Sequence, residues 1–187
     1  VIRSKKLGNL KHANLEFGFA FVGKKEDKGR LFNENLAGGS LLDVGIYPVA
    51  YTLNLTDEPI KSLTTKAQFY KTGVDTECII DVVFKGGATA HLVSSFLEDR
   101  LCPALIEFEN GTILVENFWS STKVTINNEV FEFPHLGEGF PYEIKAFVGT
   151  LEKGLLENDV MTYEQSRKSM ELLDRIRKDI GLVYPFE

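Results

Sequence analysis

The sequence predicts an α+β fold: a large, mainly antiparallel open sheet with its helices on one face. Two observations predict it. Short strand-like segments follow one another through the middle of the chain, and two helical segments close it. The turns between the later strands are too short for the crossover of a dozen or more residues that a parallel pair requires. Strands followed by helices are typical of α+β domains whose helices cover one side of the sheet.

The first strand is predicted from alternating side chains. Between residues 15 and 22 the odd positions are apolar and the even positions are mostly small, which suits a strand with one packed face. A loop with charges of both signs follows, and Lys24, Lys25, Lys28 and Arg30 give it a basic cluster. This pattern predicts a solvated loop, with a contact to a cofactor phosphate as the alternative.

A helix is predicted after the diglycine Gly38-Gly39. Pro48 removes one backbone hydrogen bond from it, so a kink or a local 3₁₀ turn is expected there. Asp43 and Tyr47 are four residues apart, which places them on one helix face about 5–6 Å apart at Cβ. A carboxylate and a phenol would then converge on one small ligand. The same pair also fits a buried helix in which Asp43 serves the turn and Tyr47 packs its ring.

The middle of the chain is predicted to be a meander of antiparallel strands. Its turns contain Gly86-Gly87, Asn110-Gly111 and Asn127-Asn128, residue types that accept the positive φ of tight hairpins. Residues 77–85 are largely apolar on both sides, so we expect a partner domain or a second subunit on the open face. The predicted strands cover residues 63–71, 77–85, 87–98, 104–109, 112–117, 122–127 and 129–133.

Two helices are predicted at the end of the chain. Residues 142–155 have apolar side chains at helical spacing, and Thr162 with Gln165 forms a capping box for the last helix. The stripe predicted to be buried on that last helix consists of Met170, Leu173, Ile176 and Ile180.

Composition favours one domain over residues 1–187. The net charge of −6 argues against a nucleic-acid partner. No apolar run approaches the roughly 20 residues that cross a bilayer, so no membrane role is expected. The two cysteines and three histidines lack the spacing of a disulfide framework or a metal site. We therefore expect no metal and a reducing, cytoplasmic setting.

The diglycine segment resembles the signature that opens the second domain of the Gfo/Idh/MocA oxidoreductases. Its pattern is Gly-Gly-x-Leu-Leu-Asp-x-Gly-Ile-Tyr-Pro-Val, closest to the dihydrodiol dehydrogenase and glucose-fructose oxidoreductase branch. Three further segments resemble the family in the same order: residues 7–12, Phe118-Trp119 and residues 179–185. The resemblance therefore covers nearly the whole chain.

The resemblance implies a C-terminal domain of the glyceraldehyde-3-phosphate dehydrogenase type. Family members begin with a Rossmann domain, and this sequence has neither its Gly-x-Gly-x-x-Gly nor the Glu-Lys-Pro that supplies a catalytic lysine. We interpret residues 1–187 as the substrate-binding and dimerisation domain of a two-domain enzyme. Such a fragment is expected to be inactive alone and to bind no cofactor, whereas the intact protein is expected to use NAD or NADP.

The resemblance also implies roles for particular residues. Tyr47 would hydrogen-bond the reacting hydroxyl of a sugar, polyol or trans-dihydrodiol, and Asp43 would orient it, with the lysine coming from the other domain. Phe21, Trp119 and Phe118 are candidate apolar walls for a ring-shaped substrate, although each also fits a core or interface aromatic. A homodimer through the open sheet face is the expected assembly. Two alternatives to the enzyme function are a non-catalytic sugar-binding module and a purely structural dimerisation domain.

Overall fold

The computed structural model describes residues 2, 4–23, 27–135, 137 and 139–187. Within them lies an eight-stranded sheet with helices on one face, which confirms the predicted fold class. The strands are β1 Leu10–Gly18, β2 Ile60–Phe69, β3 Asp75–Phe84, β4 Thr89–Ser95, β5 Ala104–Phe108, β6 Gly111–Val115, β7 Lys123–Ile126 and β8 Glu129–Glu132. The helices are α1 Ile46–Leu53, α2 Phe140–Glu152 and α3 Tyr163–Ile180. Shorter helical turns cover Arg30–Phe32, Glu34–Leu36, Leu41–Gly45 and Phe118–Ser120.

The strand order is β2-β3-β4-β1-β5-β6-β7-β8. The predicted meander is therefore present as two separate runs, and it is wrong at their junction, where β1 lies between β4 and β5. β1 pairs in parallel with β4 and antiparallel with β5. The parallel pair is possible because α1, β2 and β3 form a long crossover between β1 and β4.

Helices α1 and α3 cover one face of the sheet, and the core lies between them and the strands. In β1, Ala13 and Leu15 are fully buried on this face, while His12, Asn14 and Glu16 alternate with them on the other face. Other members of the core are Ile80, Leu92 and Ile106 from the sheet, Leu41 and Val49 from the segment around α1, and Leu173 and Ile176 from α3.

The predicted capping box of α3 is present. The Gln165 N–H donates to Thr162 Oγ1 at 3.2 Å, and the Thr162 N–H donates to Gln165 Oε1 at 3.0 Å. The predicted buried stripe is partly wrong, because Met170 is half exposed while Leu172 is buried beside Leu173. The helix contacts both α1 and β2, so its buried face turns toward Leu172.

The open face of the sheet carries both polar and apolar side chains on each side of β1. On the side of β4 the His91 Nδ1 and Asp81 Oδ1 atoms are 2.7 Å apart, and Ile79 lies opposite Val93. On the side of β5, Leu105 lies opposite Leu114 and Val130 of β8 is half exposed. The same side also has Glu107 opposite Thr112 and Lys123 opposite Glu132. No helix of the described residues has the length and apolarity to cross a membrane.

Candidate functional site

The diglycine ahead of α1 is required by close backbone contacts. Gly39 has φ +121°, and a Cβ there would lie 2.2 Å from Asp75 Oδ1. A Cβ at Gly38 would lie 2.7 Å from the Leu31 carbonyl oxygen. Both distances are shorter than any side chain tolerates, so glycine alone allows the segment to turn between the loop at Leu31 and the start of β3.

Asp75 holds the start of the helical segment. Its fully buried carboxylate accepts a hydrogen bond from the Ser40 hydroxyl at 2.7 Å and another from the Leu41 N–H at 2.8 Å. These bonds satisfy one of the donors that a helix leaves unpaired at its N-terminus. Burial raises the pKa of Asp75, and its hydrogen bonds oppose that rise. Asp75 could not be predicted from the sequence, because nothing local to β3 indicates a cap for a helical segment that starts 35 residues earlier.

We expect Asp75→Asn to gain stability relative to the unaltered protein as pH rises. The folded-state pKa of Asp75 lies above its ordinary value of 3.8, so the folded protein prefers the neutral carboxyl. The stability that this preference contributes is complete below pH 3.8 and is lost as pH rises through the folded-state pKa. Asparagine stays neutral throughout. Urea unfolding at intervals from pH 3.5 to pH 7 should show the stability of Asp75→Asn rise relative to that of the unaltered protein.

The matched control for that measurement is Asp57→Asn, a substitution at an exposed aspartate. Its stability difference from the unaltered protein should stay level across the same pH range. A level difference for Asp75→Asn as well would contradict a raised pKa at Asp75.

The turn that carries Asp43 is a π-turn, Leu41–Gly45, and α1 begins directly after it. The sequence predicted a kink or a 3₁₀ turn at Pro48, whereas the irregular turn ends at Gly45 and Pro48 lies inside α1. Gly45 allows the turn to lie close on β4, since a Cβ there would be 3.1 Å from Ser94 Oγ.

The Asp43 carboxylate is paired with the Arg30 guanidinium. The Asp43 side chain is 21% exposed and the Arg30 side chain 70% exposed, so the pair lies at the surface of the site. Arg30 belongs to the basic cluster that the sequence analysis interpreted as solvated loop. The structure instead places this arginine against Asp43, while Lys24 and Lys25 of the cluster lie outside the described residues.

Tyr47 belongs to an aromatic cluster around Phe17. The Tyr47 and Phe17 rings meet edge-on with centroids 5.1 Å apart, and Phe17 stacks on Trp119 at 5.6 Å with 11° between the planes. Tyr47 and Trp119 are both nearly half exposed. Phe118 is buried behind them and contacts Phe17 and Tyr51. Phe17, at the end of β1, is thus the residue that joins Tyr47 to Trp119, and the sequence analysis did not single it out.

Phe21 lies in a different cluster. Its ring packs edge-on against Phe32 at 5.0 Å, and Phe32 in turn contacts Tyr70 and Phe96. The structure therefore brings Tyr47, Trp119 and Phe118 together and places Phe21 apart from them.

A groove of about 500 Å³ opens beside Tyr47. We call it the aromatic groove, and its lining includes Tyr47, Trp119, Phe133, His135, Phe140 and Glu143. Asp43 is not part of this lining, so the phenol faces the groove while the carboxylate is turned to Arg30. His135 Nε2 lies 3.3 Å from the Ser121 carbonyl oxygen. Apolar ring faces together with a phenol and an imidazole suit a ring-shaped ligand with polar edges.

A second cavity, of about 930 Å³, lies at the far end of α1. It is larger, but polar and charged groups of both signs line it, among them Asn54, Glu58, Glu109 and Lys168. Neither Tyr47 nor Asp43 is near it. We assign the site to the aromatic groove, because the groove combines apolar walls with a few convergent polar groups.

The described residues contain no cluster of three or more potential metal ligands. Cys78 and Cys102 are both buried and unpaired, and burial raises the pKa of the Cys78 thiol to about 12. Neither cysteine therefore has the thiolate character of a reactive or metal-binding residue.

Comparison with known proteins shows which family and which relatives this chain is similar to. The GFO/IDH/MocA C-terminal domain matches residues 1–114. The trans-1,2-dihydrobenzene-1,2-diol dehydrogenase of Xenopus tropicalis is 28% identical over 197 residues, which is 99% of this chain and 58% of that protein. The scyllo-inositol 2-dehydrogenase (NADP(+)) IolU of Bacillus subtilis (strain 168) is 28% identical over 82% of this chain and 48% of that protein.

Solved structures show the same fold at lower identity. The aldose-aldose oxidoreductase from Caulobacter crescentus, complexed with glycerol, has a TM-score of 0.79 and 18% identity over 96% of this chain and 56% of that one. The chain thus spans about half the length of the proteins it matches, from 48% to 58% in these three. Because the C-terminal domain of GFO/IDH/MocA matches more than half of its residues, the chain belongs to the GFO/IDH/MocA family.

Proposed function

We propose that this chain is the substrate-binding half of an NAD(P)-dependent oxidoreductase. The complete enzyme would move a hydride between nicotinamide and a hydroxyl-bearing carbon of a sugar, polyol or trans-dihydrodiol. The observation that carries the proposal is the placement of Tyr47, half exposed on the edge of the aromatic groove and on a helix whose start is locked by Gly39 and Asp75. The names of two relatives, a dihydrodiol dehydrogenase and an inositol dehydrogenase, support the substrate class.

The chemistry requires a proton acceptor beside the reacting carbon. A bound nicotinamide would supply the hydride-accepting carbon. The O–H proton must also leave as the carbonyl forms, so a group within hydrogen-bond reach has to accept or relay it. Tyr47 has this role in the proposal, and its ring packs against Phe17, which in turn stacks on Trp119. A phenol is a weak base at neutral pH, so a cation from the other half, the family's lysine, would have to assist it.

Arg30 and Asp43 complete the proposed site from the loop side. The pairing keeps the Asp43 carboxylate oriented at the N-terminal end of the helical segment. A polar substrate edge that reached this point would find both a donor and an acceptor.

This chain has no Gly-x-Gly-x-x-Gly to hold a pyrophosphate. The contacts to the dinucleotide therefore belong, in this proposal, to a further half of a longer protein. Two buried, unpaired cysteines support a reducing, cytoplasmic setting.

A non-catalytic sugar-binding or dimerisation module on the same fold is the second candidate. One observation favours it, namely that Asp43 is tied to Arg30 and lies outside the aromatic groove. The two candidates differ in what should lie upstream of residue 1. A nucleotide-binding sequence with Glu-Lys-Pro in the same reading frame would support the enzyme, and its absence there would support the module.

We expect the chain alone to bind NADPH hardly at all, because it lacks the pyrophosphate cradle. Titration with reduced cofactor, followed by nicotinamide fluorescence, should give no saturation in the micromolar range. The control is the Xenopus tropicalis relative, titrated in parallel. If this chain bound NADPH with micromolar affinity, the proposal that the dinucleotide binds to the other half would be contradicted.

We also propose a homodimer through the open face of the sheet. Leu105 and Val130, which are 38% and 50% exposed, would supply apolar contacts from this face. Leu105→Glu places a charge in the middle of this face and should convert a dimer to a monomer in light scattering after gel filtration. Leu101→Glu is the matched control, since Leu101 is 92% exposed in the loop between β4 and β5. A dimer that survives Leu105→Glu would refute this interface.

A further inference from the structure

Helix α2 presents an apolar face that nothing in the described structure covers. Phe140, Ile144, Phe147 and Leu151 recur at intervals of four, three and four, which aligns them on one side of the helix. Their exposed fractions are 66%, 62%, 64% and 59%, and no residue of α2 is buried. A helix with such a face is ordinarily held in place by packing. We call these four residues the α2 stripe.

The α2 stripe is continuous with the aromatic groove. Phe140 belongs to both, since it starts the stripe and also lines the groove with Tyr47 and Trp119. Phe133, another residue of the groove lining, is 58% exposed. The 13 residues of α2 extend the surface by about 20 Å. Monomeric proteins rarely expose a contiguous apolar patch of this kind, and such patches mark interaction surfaces.

We propose that the α2 stripe is the surface on which the nucleotide-binding half docks in the complete two-domain protein. This inference rests on the proposed function. Hydride transfer needs the donor and acceptor carbons within roughly 3–3.5 Å of each other. The body that carries the nicotinamide must therefore reach the groove at Tyr47, and the α2 stripe is the apolar surface that continues from there.

The lengths of the relatives support this occupant. The match covers 58% of the Xenopus tropicalis enzyme and 48% of the Bacillus subtilis enzyme. Each of these dehydrogenases therefore has a further portion of domain size that this chain does not match. A portion of that size can bury a helix face of about 20 Å.

A second copy of this chain is the competing occupant, and the site argues against it. A copy seated on the α2 stripe would also lie against Phe140 and so would obstruct the aromatic groove. The substrate would then lose its entrance and the hydride donor its approach. The open face of the sheet, by contrast, can pair two copies without covering Tyr47.

The test joins the full chain to a nucleotide-binding half and measures hydrogen exchange in α2. The portion of the Xenopus tropicalis enzyme that this chain does not match is fused ahead of residue 1, and NADPH fluorescence selects fusions whose nucleotide site is intact. In the chain alone the α2 amides should exchange rapidly, because the helix is not packed. In the fusion they should exchange at least about tenfold more slowly.

Two variants of the fusion identify the face that docks. Ile144→Glu puts a charge in the α2 stripe, and Ala146→Glu puts the same charge on the other side of the helix, about 200° away. The α2 amides should lose their protection from exchange in Ile144→Glu and keep it in Ala146→Glu. Equal loss in both would mean that the helix is merely destabilised and would overturn the assignment of the face.

The outcomes separate this inference from the proposed function. A fusion that binds NADPH but leaves α2 unprotected would overturn the docking surface and leave the role of Tyr47 untouched. Protection of α2 without any turnover of polyols, sugars or dihydrodiols would support docking and count against the proposed reaction. Slow exchange of α2 in the chain alone, lost on dilution or with Ile144→Glu, would show that a second copy is the occupant.

Discussion

Replacing Gly39 with alanine should destabilise the protein by roughly 3 to 5 kcal/mol. The added Cβ would lie 2.2 Å from Asp75 Oδ1, at a φ of +121° that side chains rarely adopt. Relief of this overlap has to move either the diglycine or the buried carboxylate, and both movements break the bonds from Ser40 and Leu41 to Asp75. For a chain of this length the melting temperature should fall by roughly 10 °C, measured by circular dichroism.

Gly87→Ala is the matched control for that experiment. Gly87 also has a positive φ, +92°, but no atom lies within 4 Å of its virtual Cβ. Only the backbone strain remains, so the expected loss in the free energy of unfolding is about 1–2 kcal/mol. If the two variants melted at the same temperature, the close approach of Gly39 to Asp75 would not be an important constraint on the fold.

Tyr47→Phe should lower the turnover number of the complete two-domain protein by roughly 10²- to 10⁴-fold. Phenylalanine keeps the ring against Phe17, so the aromatic cluster should survive and only the hydroxyl is lost. The Michaelis constant should change much less, since the lost group acts chiefly on the proton that moves in the transition state. The measurement is steady-state oxidation of a panel of polyols, sugars and dihydrodiols.

Tyr163→Phe provides the control, because the Tyr163 hydroxyl donates to the Leu156 carbonyl at the start of α3, away from the groove lining. This variant should retain full turnover. Unchanged turnover in both Tyr47→Phe and Asp43→Asn would refute a catalytic role and would favour the purely structural dimerisation domain.

The parts of the fold that local patterns determine could be predicted from the sequence. The positive-φ residues Gly87, Gly111 and Asn127 occupy turns that the sequence indicated, and the hairpins on either side of them follow. The place of β1 could not be predicted in this way, because a strand bordered by loops carries no sign of which distant edges it will pair with. Its pairing with β4 and β5 depends on the whole sheet.

The site shows the same limit. The spacing of Asp43 and Tyr47 predicted a shared helical face, but the π-turn and Arg30 turn the carboxylate away from the groove. Met170 shows a related error, since spacing alone could not decide which of two overlapping stripes on α3 meets α1. Helical spacing predicts the side of the helix from which a side chain projects. It does not predict the partner of that side chain, which can belong to another segment of the chain.

The central position of β1 has a consequence for how the protein is made. The strand leaves the ribosome before every other strand in the sheet, yet both of its neighbours are separated from it by long stretches of chain: His12 lies opposite Thr89 on one edge and Ala13 opposite Ile106 on the other. Loop closure over such distances is slow. The nascent strand therefore cannot pair with β4 until about residue 95, or with β5 until about residue 108, has been synthesised. Phe17, on which Tyr47 and Trp119 rest, is placed only then.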